Sequence, residues 1–159
     1  MLDWEGLFKR YVWDSDRTPY FTPVDRLTKV QANYELLAYC LFMGVLFTVV
    51  AVAALTDRPL FGRSPLVGLY AFSVLAGAIV LHYTKAFPAA VYVALSPAAG
   101  LIAVVLYGFD GDRTRPDSLI VLCIMALLLL YAPRVIGIGK RYPDMEEGVE
   151  PERRRKLFK

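Results

Sequence analysis

Apolar residues in this chain are grouped into four long segments, in which the only charged side chain is Arg134. The segments cover residues 36–55, 66–83, 86–109 and 118–138. A helix needs roughly 20 mostly apolar residues to cross about 30 Å of hydrocarbon, where only helices and closed barrels satisfy their backbone. The remaining polar sequence is too short to cover four such helices. The pattern therefore predicts an all-α integral membrane protein with four transmembrane helices in an antiparallel bundle.

Prolines, glycines and short polar turns delimit these segments. Pro65 suits the first turn of the second helix, where a backbone amide has no bond to lose. Only Thr84 and Lys85 separate the second and third segments, so these must form an antiparallel helical hairpin. Gly137 and Gly139 follow the fourth segment closely, and glycine is common where a helix ends. We expect them to terminate the fourth helix.

The chain divides into a cytoplasmic arm (residues 1–34), a transmembrane domain (35–139) and a charged cytoplasmic tail (140–159). Near the start of the arm, apolar residues fall at helical spacing on one face, which predicts an amphipathic helix lying in the membrane interface. These residues are Trp4, Leu7, Phe8, Tyr11 and Val12. A second helix-start signal, with a capping threonine and a proline, follows at Thr22 and Pro23.

Two interpretations of the aromatic arm remain open. Tryptophan and tyrosine suit an aromatic belt on the membrane surface because their rings are amphipathic. Rigid aromatic side chains also suit an arm that docks on another subunit. The candidate interface residues are Trp4, Phe8, Tyr11, Trp13, Tyr20 and Phe21.

Composition and charge add an orientation. The apolar fraction is 57% and the mean hydropathy is +0.44, whereas the net charge is only +3. With four crossings, fourteen of the 18 lysines and arginines fall on the side of the termini. Basic segments stay in the cytoplasm, so both termini are predicted to be cytoplasmic in the cell inner membrane. The tail cluster predicted to meet lipid headgroups or a partner is Arg153, Arg154, Arg155 and Lys156.

Small residues mark where helices can approach closely inside a membrane. The third segment has alanines at a spacing of four, and the first and second carry similar positions. The predicted helix-packing residues are Ala86, Ala90, Ala94, Ala98, Gly100, Ser73, Gly77 and Gly44. The fourth segment is rich in leucine, so it is expected to face lipid and to tolerate truncation of Leu128. Pro97 leaves the carbonyl of Val93 in need of a new partner.

Chemistry-bearing residues are few. Ion-coupled transporters generally keep an ionisable residue within the hydrocarbon, but here Glu35 and Arg134 stand at cytoplasmic ends, where Arg134 can extend to the headgroups. Cys40 and Cys123 lie at opposite depths and are predicted to be free thiols. His82 either faces headgroups or supplies one axial ligand to a haem or pigment shared with another subunit. The sequence predicts no metal site and no cofactor bound by this chain alone.

These features favour a non-catalytic accessory or assembly subunit of a larger inner-membrane complex, with respiratory and photosynthetic complexes as candidates. We expect it to bind its neighbours through the small-residue helix faces and the aromatic cytoplasmic arm. Membrane lipids and other membrane protein subunits are the expected partners, and nucleic acid is not. One alternative is a small homo-oligomeric channel or transporter whose pathway forms between copies along the alanine face of the third segment. A second alternative is a lipid-modifying enzyme that uses Asp110 and Asp112 in the outer loop.

Overall fold

The structure is a computed structural model, and it describes residues 22–55, 65–107 and 115–148. Several predicted features lie outside these residues. They are the amphipathic helix and aromatic arm before Thr22, the outer-loop carboxylates Asp110 and Asp112, and the basic cluster from Arg153 to Lys156.

The described chain is all α-helical, with four main helices and two short 3-10 turns. The helices are α1 (Lys29–Leu55), α2 (Pro65–Thr84), α3 (Phe87–Tyr107) and α4 (Arg115–Arg141), and the turns are Val24–Arg26 and Tyr142–Asp144. Three helical stretches are long and apolar enough to cross a membrane, namely Lys29–Leu55, Pro65–Thr84 and Leu122–Asp144, and Phe87–Ile102 is a shorter apolar stretch. These lengths indicate a multi-pass membrane protein.

α2 begins, and reverses into α3, close to the positions that the sequence predicts. Pro65 is the first residue of α2, and the connection to α3 consists of Lys85 and Ala86 alone. Lys85 has a φ of 54°, a left-handed conformation that reverses the chain within this two-residue turn. The two helices therefore form an antiparallel hairpin.

The end of α4 differs from the prediction. The helix continues through Gly137 and Gly139 to Arg141, so these glycines do not terminate it. A Cβ atom on Gly139 would lie only 2.6 Å from the Cβ of Ala90 in α3. Gly139 therefore permits a close helix–helix contact within a continuous helix, which sequence spacing cannot distinguish from a helix end.

A capping box defines the start of α1. The Thr28 hydroxyl accepts the amide of Gln31 at 3.4 Å, and the Gln31 side-chain oxygen accepts the amide of Thr28 at 3.1 Å. The Thr-x-x-Gln spacing is a recognised signal for the start of a helix. The predicted signal at Thr22 and Pro23 instead precedes the 3-10 turn at Val24–Arg26, and Pro23 makes no side-chain cap there.

One core joins all four helices. α1 packs mainly on α2 and α3 mainly on α4, and each helix contributes one buried stripe. Fully buried side chains at its centre include Leu36, Met43, Val74, Val93 and Val135. When these stripes pack together, one face of each helix is buried. The opposite faces keep many large apolar side chains exposed.

α4 is a full member of this core and not a peripheral helix. Leu128 is only 8% exposed and belongs to a stripe at helical spacing with Met125, Ala132 and Val135. Leu130, by contrast, is 78% exposed. The expectation that Leu128 can be truncated without effect therefore does not hold, because a leucine-rich segment does not by itself reveal which of its leucines face inward.

The gap that Pro97 leaves in the backbone hydrogen bonding of α3 is closed by its neighbours. Ser96 donates its hydroxyl to the Val93 carbonyl at 2.8 Å, which gives that carbonyl the partner that proline cannot supply. The Ser96 carbonyl in turn accepts the hydroxyl of Tyr70 from α2 at 2.8 Å. Ser96 is buried, so these bonds hold the proline-containing turn of α3 against α2.

Replacing Ser96 by alanine should lower the free energy of unfolding by about 1 kcal/mol, because the buried Val93 carbonyl loses its donor. In a Pro97→Ala background the restored amide can serve Val93, so the same serine replacement should then have a much smaller effect. Unfolding of the intact protein in mild detergent, followed by circular dichroism, measures both.

Thr48→Ala is a suitable control for this experiment. Its hydroxyl also bonds a carbonyl in its own helix, that of Gly44 at 2.7 Å, but at an exposed position without a proline. An equal loss of stability for Ser96→Ala with and without Pro97 would contradict the proposed role of the serine.

Candidate functional site

A buried ion pair joins α1 to α4 near one end of the molecule. Arg134 donates from Nε to one carboxylate oxygen of Glu35 at 2.5 Å and from Nη2 to the other at 3.0 Å. The Glu35 side chain is 2% exposed and that of Arg134 is 18% exposed. The two-pronged geometry is the strong form of an arginine–carboxylate contact, and it neutralises both charges inside the protein.

Two further groups complete this cluster. Tyr131, one turn before Arg134, donates its hydroxyl to Glu35. The remaining arginine prong, Nη1, donates to the backbone carbonyl of Thr22 at 2.7 Å. We call Glu35, Tyr131, Arg134 and the Thr22 carbonyl the polar latch. It gives the buried carboxylate three donors and ties the segment before α1 to α4 as well.

An aromatic contact lies directly beside the polar latch. The rings of Tyr39 in α1 and Tyr131 in α4 stack with their centroids 6.0 Å apart and an angle of 28° between planes. The Tyr39 hydroxyl is buried and has no hydrogen-bond partner among the described residues. Tyr39 therefore contributes packing to the α1–α4 contact, and the polar bonds come from the latch.

Backbone and surface contacts extend the latch outward. The Lys29 amide donates to the Glu146 carbonyl at 2.8 Å, and the Tyr142 hydroxyl donates to the Asn33 side chain at 2.9 Å. An exposed ion pair also joins Arg141 to Asp25. The start of α1 and the end of α4 are thus held together, and we call this end of the molecule the polar end.

The turn between α2 and α3 lies at the same end. A Cβ on Gly139 would lie 3.6 Å from the Cα of Phe87 and 3.9 Å from the Ala86 carbonyl oxygen. Beside this contact, Lys85 donates its ammonium group to the carbonyl of His82. Burial lowers the pKa of Lys85 below its usual range, with nearby Cys40 opposing the shift. The start of α1, the Lys85 turn and the end of α4 therefore share one end.

The arrangement of the latch corrects the sequence interpretation of Arg134. That interpretation let the arginine extend to headgroups, but the side chain turns inward to Glu35 and Thr22. A buried carboxylate without a partner is costly, whereas a surface arginine gains little. In the sequence, the only sign of this ion pair is that Glu35 and Arg134 carry opposite charges at the ends of two long apolar segments. Whether the two side chains meet depends on the rotation of α1 and α4 about their axes.

The latch is chemically suited to holding helices and not to exchanging ions or protons with solvent. Each charge has its opposite within hydrogen-bond distance, and the carboxylate is almost fully enclosed. Removing one partner of such a pair is strongly destabilising, since the other is left charged in a poorly solvated site. The geometry therefore points to a structural role.

The alanines predicted to pack helices are placed as follows. Ala90 and Ala94 in α3 are completely buried, and Ala86 and Ala98 are half-buried. Ala90 lies at the contact with Gly139 of α4. The inner part of the alanine series thus faces a neighbouring helix of the same chain.

The other predicted packing residues fall into two groups. A Cβ on Gly77 would lie 2.8 Å from the Tyr92 ring, and one on Gly100 would lie 2.8 Å from the Met125 methyl. Exposed Ser73 shares a hydrogen bond of 2.5 Å with the Tyr92 hydroxyl. Gly44 differs, because nothing lies within 4 Å of an added Cβ there. It lines an open groove and makes no close helix contact.

The remaining candidate residues are separate from the latch. Cys40 is buried and Cys123 exposed, and both are free thiols, as predicted. His82 lies at the end of α2, with its ring 5.2 Å from that of Tyr83. No group of three or more His, Cys, Asp or Glu residues in the described ranges is placed to hold a metal ion.

Comparison with known proteins adds no family assignment. No protein-family model matches the chain, and neither a curated protein nor a solved structure is found to be similar to it.

Proposed function

We propose that this chain is a non-catalytic accessory or assembly subunit of a larger inner-membrane complex. The observation that carries the proposal is the polar latch. Glu35, the most deeply buried carboxylate of the described chain, joins α1 to α4 by accepting hydrogen bonds from Arg134 and Tyr131. A site whose charges are mutually neutralised offers a firm scaffold but no reactive group to a substrate.

The proposed topology has four antiparallel crossings, with both termini cytoplasmic. Its support is the position of the chain reversals: the start of α1, the Lys85 turn and the end of α4 all lie at the polar end. Helices that begin and end on one side imply an even number of crossings. Fourteen of the 18 basic residues then belong to that side, which fits retention in the cytoplasm.

The polar end also supports the role proposed for the two chain termini. The latch and the Lys29–Glu146 backbone bond hold residues 22–29 against residues 134–148. The aromatic arm precedes the first of these segments in sequence and the basic tail follows the second. We propose that the arm binds a neighbouring subunit and that the tail binds anionic headgroups or the same neighbour, both starting from one fixed platform.

Mild solubilisation of the tagged protein from native membranes, followed by identification of co-purifying proteins, tests this proposal. The expected result is a reproducible set of membrane proteins that is largely lost when Trp4, Trp13 and Phe21 are changed to alanine. Large rigid aromatics dominate many interfaces, so the triple variant should reduce recovery at least about tenfold.

Alanine at Phe42 and Phe72 is the matched control, because both side chains are about half exposed and belong to α1 and α2, not to the arm sequence. This variant should retain the partners. Recovery of a symmetric oligomer of this chain with nothing else bound would instead favour the channel alternative. Equal losses in the arm and control variants would contradict the assignment of the interface to the arm.

A further inference from the structure

An open apolar groove runs between α1 and α2 on the outer surface. Its volume is about 700 Å³, and Gly44 and Ala78 form part of its floor, with Val45 and Ile79 at more exposed positions. The groove exists because Gly44 has no side chain and nothing else fills the space above it. The nearby Thr48 hydroxyl is satisfied by the Gly44 carbonyl, so it requires no partner from an occupant.

The groove has one polar end. His82 and Tyr83 line it there, and the neighbouring Lys85 ammonium bonds the His82 carbonyl. Lys85 lies within electrostatic reach of Cys40, which also lines the groove. Within the described part of the chain, Lys85 has no carboxylate partner and the buried Nδ1 of His82 accepts or donates no hydrogen bond. The Lys85 cation thus lies beside the end of the apolar groove that His82 lines.

The dimensions of the groove fit one leaflet of a membrane. It extends along α1 from Leu37 to Val49, which at about 1.5 Å per residue corresponds to roughly 18 Å. Half of a hydrocarbon core of about 30 Å is similar. The polar end coincides with the Lys85 turn, where a helix hairpin reaches the headgroup layer.

We infer that this groove binds an anionic phospholipid, with an acyl chain along Gly44 and Ala78 and the headgroup phosphate at Lys85, beside His82. Because Lys85 has no carboxylate partner among the described residues, a phosphate-bearing occupant is favoured over a transmembrane helix, whose apolar side chains would leave the lysine charge unmatched. The inference requires only that α1 and α2 span a membrane, so it is independent of the accessory role.

Native mass spectrometry of the intact protein in mild detergent tests this site. Phosphatidylglycerol and phosphatidylcholine with identical acyl chains are added at equal concentration, and the bound fraction of each is measured. The wild-type protein should retain phosphatidylglycerol preferentially. Lys85→Gln should reduce that retention about fivefold, as expected for removing one basic residue near an anionic surface.

Two pairs of variants separate the parts of the site. Lys140→Gln removes an exposed charge outside the groove lining and should leave lipid retention within about twofold of wild type. It changes only the screened long-range attraction between the protein and an anionic lipid. Gly44→Leu should reduce retention of both lipids by filling the groove, whereas Gly44→Ala should have little effect. Both replacements are expected to fold because the space at Gly44 is open.

Defined outcomes would overturn the inference. These are equal retention of the two lipids by the wild-type protein, equal losses for Lys85→Gln and Lys140→Gln, or unchanged lipid binding with an altered oligomeric state in Gly44→Leu. The last result would assign the groove to a second copy of the chain. If Lys85→Gln does not fold, His82→Phe replaces it in the comparison and should lower phosphatidylglycerol retention in the same direction.

Discussion

Replacing Arg134 by methionine is expected to lower the free energy of unfolding by about 3–5 kcal/mol, the range for removing one partner of a buried ion pair. The Glu35 carboxylate would keep its position in α1 with 2% exposure but would lose both arginine prongs. Tyr131 alone cannot neutralise a charge. Denaturant unfolding in mild detergent, followed by circular dichroism, measures the loss.

The reciprocal variant should be less damaging. In Glu35→Met the arginine remains, but its side chain is 18% exposed and long enough to turn toward the surface, so its charge can recover solvent. The double variant Glu35→Met with Arg134→Met should be close to wild type, because replacing a whole buried pair by apolar side chains is often neutral.

Lys140→Met provides the control on the same helix. Lys140 is exposed, so its replacement should change the free energy of unfolding by no more than about 0.5 kcal/mol. If the double variant were as unstable as Arg134→Met alone, the loss would come from packing and not from an unpaired charge. That result would remove the latch as the element that joins α1 to α4.

Gly139→Ala is expected to destabilise the protein by about 1–3 kcal/mol, although alanine is the better helix former. The added methyl would lie 2.6 Å from the Cβ of Ala90, a separation that requires the backbones of α3 and α4 to move apart. Because neither atom belongs to a flexible side chain, no rotamer change relieves the contact. The same unfolding measurement in mild detergent applies.

Gly137 offers a matched control two residues away in the same helix. A Cβ there meets only the Val24 side chain at 3.7 Å, an ordinary contact. Gly137→Ala should therefore be neutral or stabilising by up to about 1 kcal/mol, the propensity difference between the two residues. Ala90→Gly combined with Gly139→Ala should restore part of the lost stability. Equal tolerance at both glycines would contradict the close α3–α4 contact.

Hydropathy along the chain was sufficient for much of the fold. The long uncharged segments around α1 and α2 match helices that are long and apolar enough to cross a membrane. The position of Pro65 and the shortness of the Lys85 turn also predicted where α2 begins and where it reverses into α3. These features are local, because they depend on side-chain transfer and backbone preferences within a few residues.

Boundaries that depend on other helices were predicted less well. The sequence predicted that the fourth helix ends at Gly137 and Gly139, but α4 continues to Arg141. Gly139 instead allows α4 to pack closely on Ala90 of α3. The sequence also predicted that Leu128 faces lipid, although this side chain lies in the core. A run of leucines has no periodicity that would show its inward face.

The sequence by itself determined that this chain forms long apolar helices and that α2 reverses into α3 within two residues, because solvation and chain reversal are properties of neighbouring residues. Only the tertiary structure decided that Glu35 and Arg134, 99 positions apart, form one buried ion pair. It also decided that Gly44 lies in an open groove, whereas Gly139 lies in a close helix–helix contact. These outcomes depend on the rotation and separation of packed helices. Such quantities arise from the sum of contacts between distant segments, and no single segment encodes them.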